Sequence, residues 1–84
     1  MASMDELIAR YIQENPYRTG SANVRIMPYE VPVWAIVGHL DAVHGNVQRV
    51  ADDYELPTDA VEAALAYYEQ HKQAIDTRIA ANAA

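Results

Sequence analysis

Cysteine is absent from the 84-residue chain, which excludes disulfides, thiolate metal sites and cysteine nucleophiles and points to a reducing compartment. Glycine occurs three times only, in no phosphate-cradling pattern, and no serine accompanies a histidine in a nucleophile motif. Basic side chains are scarce: six face twelve acidic ones, for a formal net charge of −6. Such a chain repels nucleic-acid phosphate at long range. The imbalance is concentrated from residue 46 onward, where Arg49, Lys72 and Arg78 face seven carboxylates for a net of −4. Phenylalanine is missing, so the aromatics are Trp34 and six tyrosines, side chains suited to half-buried partner surfaces. No apolar run approaches the roughly 18 residues of a membrane span. The longest, Val31 to Leu40, is interrupted by Pro32, Gly38 and His39. Met1-Ala2-Ser3-Met4-Asp5-Glu6 lacks the basic-then-apolar order of a signal peptide. The expected location is cytoplasmic, with no membrane contact.

With 51% apolar and 21% charged residues the composition is that of a folded globular chain. Its length suits one domain over 1–84: an N-terminal helix and loop over 1–22, then a strand, a helix-turn-helix core and a terminal helix over 23–84.

Ser3 and Glu6 form a capping-box signature, behind which Leu7, Ile8, Tyr11 and Ile12 share a helical face. Asn15-Pro16 is expected to end this helix, because the residue before proline is driven out of helical geometry. Asn23 to Met27 alternates as a short strand does, Pro28-Tyr29-Glu30 reads as a turn, and Val31-Pro32-Val33 either adds a strand or leads into a helix. Val33, Trp34, Ile36, Val37, Leu40 and Val43 recur at helical spacing, with Gly45 as the terminator. Asn46 is placed to cap a helix carrying Val47, Val50, Ala51 and Tyr54. Pro57-Thr58 restarts helix, and no proline or glycine follows up to Ala81. A single terminal helix of about 22 residues spans about 33 Å, so its second half is expected to project.

The predicted fold class is mainly α: about four helices, a short N-terminal β element and a long C-terminal helix. Residues 46–65 have helix-turn-helix spacing, with Ala51, Leu56 and Val61 at the close-packed positions and Glu55 where glycine is usual. A plain helical hairpin fits the same spacing. The first turns of the second helix, Thr58 to Ala63, present Asp59 and Glu62 and no arginine, lysine, asparagine or glutamine to base edges.

The candidate partner-binding residues lie on the terminal helix. Val61, Leu65, Tyr68, Lys72, Ile75 and Ile79 form an apolar seam broken once by lysine. Ile75 and Ile79 are expected to lie beyond the cover of the other helices, with Tyr67 and His71 widening the face. The seam suits self-packing or a homodimer ahead of a foreign partner, and a homodimer is the expected assembly. The candidate nucleic-acid residues are Arg25, Arg49 and Thr58; a dimer pairing the 23–27 strands brings two copies of Arg25 together as ribbon-type readers do. A solvated strand arginine is the simpler reading. His39 and His44 point about 140° apart on a helix and cannot share a metal, though Asp41 and His44 can approach. No catalytic, metal or cofactor site is expected, and Asp52-Asp53 reads as exposed helix surface.

Val31-Pro32-Val33-Trp34-Ala35-Ile36, Val50 to Leu56 and Val61 to Tyr68 together resemble the domain-of-unknown-function family numbered 433 over roughly residues 18 to 80. Val31-Pro32-Val33 matches that family's entry into a buried helix, Ala64-Leu65-Ala66-Tyr67 matches its "ALAY" helix, and His71 to Asp76 resembles one branch. Pro28 and Glu30 stand where the family has glycine and arginine. The resemblance implies a homeodomain-like or winged-helix-like helix-turn-helix fold. It also implies kinship with antitoxins of the VapB type, which are encoded beside PIN-like nuclease toxins. The leading expectation is a non-enzymatic, antitoxin-like protein that binds a PIN-like nuclease, with operator autoregulation as a secondary role. The rivals are a dimeric DNA-binding regulator, and a ligand-binding or enzymatic domain using His39, Asp41 and His44.

Overall fold

The computed structural model describes residues 3–83. Ser3 caps α1 (Met4–Tyr11): its Oγ accepts the Glu6 N–H at 3.2 Å, satisfying a donor that the first turn leaves open. α1 stops at Tyr11, short of Asn15-Pro16. Ile12 is extended and opens β1 (Ile12–Gln13), because pairing with the fully buried Ile26 outweighs one more helical turn.

β2 (Arg25–Ile26) lies between β1 and β3 (Val31–Pro32) in an antiparallel sheet of order β1-β2-β3. Ile12, Ile26 and Val31 stand in one row across it, and Gln13, Arg25 and Pro32 in the next. The first row faces the helices: Ile26 is fully buried and Ile12 and Val31 pack against the core. Pro32 both ends β3 and caps α2 (Val33–Ala42), its fixed φ suiting the entry to a helix. Both sequence readings of Val31-Pro32-Val33 therefore hold.

α2 closes with two nested bonds, Gly45 N–H to the Leu40 carbonyl at 2.7 Å and His44 N–H to the Asp41 carbonyl at 3.2 Å. The left-handed position directly behind the helix is His44, at φ 57°, with Gly45 following at φ 79°. Asn46 caps α3 (Val47–Tyr54) by accepting the Arg49 N–H at 3.1 Å. α3 ends in the same way: Leu56 N–H bonds the Ala51 carbonyl at 2.9 Å and Glu55 is left-handed at φ 56°. Glu55 thus occupies the position where a helix-turn-helix ordinarily has glycine. α3, this turn and α4 (Thr58–Gln70) bury Ala51, Leu56 and Val61 where they meet.

The C-terminal helix is two helices, bringing the total among the described residues to five. α4 breaks at His71, which takes φ −136°, and α5 (Lys72–Ala83) resumes and packs on α2 and the short turn Ser21–Asn23. The sequence has no breaker there, so the break comes from tertiary packing. Ile75, expected to project, is fully buried, and Ile79 is half-buried against the core. At about 25 cal/mol per Å² of apolar surface, burying an isoleucine contributes roughly 2 kcal/mol, enough to offset one lost helical turn. α1 lies mainly on α4. The core is one cluster drawn from all five helices and the sheet.

Candidate interaction surfaces

The six candidate partner-binding residues, Tyr67, Tyr68, His71, Lys72, Ile75 and Ile79, do not share a face. Ile75 is in the core. Tyr67 is buried and its hydroxyl donates to the Ser21 carbonyl at 2.7 Å, so burial, with Glu14 second, holds its pKa above the ordinary phenol range. His71 is half-buried and stacks on Tyr67 at 4.2 Å between ring centroids. These three are structural: Tyr67 is buried on α4, His71 stacks on it, and the break at His71 turns Ile75 into the core. Lys72 is exposed and lies 3.6 Å from Glu69, an exposed pair worth little. Tyr68 and Ile79 remain accessible in part.

The expected pairing of two Arg25 strands is overturned by the sheet. β2 is the central strand, so both its edges are bonded within the chain and no edge is left for a second copy. The Arg25 side chain is 15% exposed and its terminal nitrogen lies 3.5 Å from Glu30. Arg49 is directed at Asp53, at 3.2 Å, and Thr58 is exposed at the start of α4. The two arginines serve different carboxylates on different elements.

Asp53 is more than exposed helix surface, because His39 of α2 meets it at 2.8 Å between Nε2 and Oδ2. The carboxylate therefore ties α2 to α3, with Arg49 on the same oxygen. The His39 hydrogen bond, ahead of the charge of Arg49, holds the Asp53 pKa below its usual value. Tyr54 sets its ring edge-on to His39 at 5.5 Å. His39 is thereby separated in role from Asp41 and His44, which line a different hollow. Among the described residues no three histidine or carboxylate side chains are grouped to hold a metal ion, and no helix is long and apolar enough to cross a membrane.

Two surfaces emerge, the first not singled out by the sequence and the second holding Asp41 and His44 of the ligand-binding alternative without His39. One is the outward face of α4. Asp59, Glu62, Glu69 and Gln70 are exposed there, with Leu65 and Ala66 half-buried between them. Met4 of α1, 53% exposed, joins this strip to form a shallow apolar groove bordered by Glu62, Glu69 and Gln70. The other is a cleft of about 550 Å³ between α2, α4 and α5. Its floor is Val37, Leu40, Leu65 and Ile79, and its polar groups are Asp41, His44, Asp76 and the Tyr68 hydroxyl. Tyr68 donates to Asp76 at 2.8 Å, and that bond, more than burial, pushes its pKa up. Leu65 lines both surfaces, so groove and cleft adjoin.

Periodicity could have found the α4 face, since positions 59, 62, 66 and 69 recur at helical spacing. Met4 could not have been found that way, because its place beside α4 is set by tertiary packing. Comparison with protein-family models, with curated proteins and with solved structures gives no significant match.

Proposed function

We propose that this chain is a non-enzymatic protein-interaction module of antitoxin-like character, whose α4 face and Met4 groove dock on a basic, partly apolar surface of a nuclease-like partner. The observation that carries this reading is the outward surface of the second helix of the helix-turn-helix. It offers Glu62 and Glu69 around Met4, Leu65 and Ala66, with Asp59 exposed in the first turn of the same helix, and no described arginine.

That combination suits a cationic protein surface and repels a phosphate backbone. A second copy of the same face would set carboxylates against carboxylates on chains already at −6, which disfavours self-association there. Operator binding has no comparable support, since the paired Arg25 arrangement is blocked by the sheet. The resemblance to antitoxin-like chains agrees with a basic nuclease as the partner.

Co-expression with the nuclease-like protein encoded by an adjacent gene tests the reading. A stoichiometric complex on size exclusion that dissociates as salt rises is the expected result. Separate elution of two folded proteins at low salt would overturn it.

A further inference from the structure

Three residues around the α2 cleft are locally unfavourable, and for Gly38 and Asp41 no contact among the described residues offsets the cost. Gly38 lies in the middle of α2, where glycine is among the poorest helix formers. Its φ is not in the left-handed range, and a Cβ built on it meets nothing within 4 Å, so neither backbone geometry nor internal packing calls for glycine. Asp41 occupies the last turn of α2, at the negative end of the helix dipole, and no described cation pairs with it. His44 holds the left-handed position behind α2 where glycine is usual.

All three line the cleft that Leu65 joins to the docking groove. Stretches in which several residues oppose the local structure, and which also border a cavity, are where function commonly resides. The chemistry of the hollow selects its occupant. An apolar floor of Val37, Leu40, Leu65 and Ile79 suits an alkyl chain, and Asp41 and Asp76 at the rim suit a cation. The missing side chain at Gly38 leaves room for the chain to lie against α2. Lys72, on the neighbouring turn, is paired with Glu69 and does not line the cleft.

We propose that this cleft is the pocket for an alkyl chain ending in a guanidinium or ammonium group, presented as an arginine or lysine side chain by the partner docked on α4. The source of the side chain rests on the docking reading above; the chemistry of the pocket does not. A cation entering over the apolar floor meets Asp76, already oriented by the Tyr68 hydroxyl, and Asp41 on the facing helix. Guanidinium is the better fit, since its planar fork bonds carboxylates in pairs.

The test is a titration of the isotope-labelled full chain with n-butylguanidinium, followed by amide resonances, with n-butanol and guanidinium chloride as controls. Saturable shifts at Gly38, Asp41 and Asp76 for n-butylguanidinium are expected, at concentrations where neither control saturates. The Asp41→Asn/Asp76→Asn variant should bind the probe about tenfold more weakly, as loss of charge-assisted bonds does. Its thermal midpoint should be unchanged or higher, since asparagine at position 41 relieves the dipole conflict. Equal shifts from n-butanol, or equal affinity in the variant, would overturn the pocket. Saturation with the nuclease-like partner should abolish the probe's shifts; their persistence in the complex would overturn the assignment to a partner side chain. Because the titration needs no partner, a failed pocket and a failed docking reading are distinguishable.

Discussion

Gly38→Ala should make this protein more stable. The position is inside α2, and a methyl group there meets no atom within 4 Å, so the substitution brings no collision. Alanine is favoured over glycine in a helix interior by about 1 kcal/mol, through the entropy that the unfolded glycine otherwise gives up and the backbone it leaves wet. An unfolding entropy of about 2.1 cal/mol/K per residue gives about 0.18 kcal/mol/K for a chain of this length, so the midpoint should rise by about 5 °C. Thermal unfolding followed by circular dichroism at 222 nm reads this directly, and urea unfolding with an unchanged slope should show the same gain. A lowered midpoint would refute the reasoning, because it would mean that α5 closes on α2 at this point. The same variant narrows the cleft and should weaken n-butylguanidinium binding. Opposite signs for stability and binding are the signature of a residue kept for function.

Ile75→Ala removes a fully buried side chain and should cost about 2–5 kcal/mol in urea unfolding; a loss below about 1 kcal/mol would mean that α5 does not rest on the core. Glu55→Gly relieves a left-handed non-glycine residue, and after allowance for the extra freedom of the unfolded chain should stabilise by about 0.5 kcal/mol in the same assay. Asp53 has a folded-state pKa below its unfolded value of 3.8, so its contribution to stability is complete above that value and fades as pH falls through the lower, folded one. In His39→Ala the Asp53 carboxyl, followed by carbon-13 chemical shift, should titrate at higher pH; an unmoved titration would show that Arg49 alone sets it.

Much of the fold was legible because its signals are local. Ser3, Asn46 and Pro57 mark helix starts by mechanisms confined to one turn, and each opens a helix. The core positions of α2 and α3 follow from spacing alone. The errors share one cause, which is tertiary packing overriding a local preference. Ile12 leaves its helix to pair with Ile26, and α4 breaks at His71 although nothing in the sequence stops it, because Ile75 gains a place in the core. That one break takes Ile75 into the core, and Tyr67 is buried on α4 itself, so the open face is the outward side of α4 with Met4 of α1. Arg25 fails for a related reason, since a two-residue strand gives no sign of having two neighbours. Asp41 and His44 were legible only as a pair three residues apart and Gly38 only as a break in an apolar run; their convergence on one cleft required the three-dimensional arrangement.

The docking face itself is tested most directly by charge reversal where no packing is disturbed. Glu62 and Glu69 are exposed, so Glu62→Lys/Glu69→Lys leaves the core intact while inverting the border of the Met4 groove. Calorimetric titration of the nuclease-like partner into wild type and variant should give a saturable complex with the first and at least a tenfold weaker one with the second. Equal affinity for both, with both folded by circular dichroism, would contradict docking through α4.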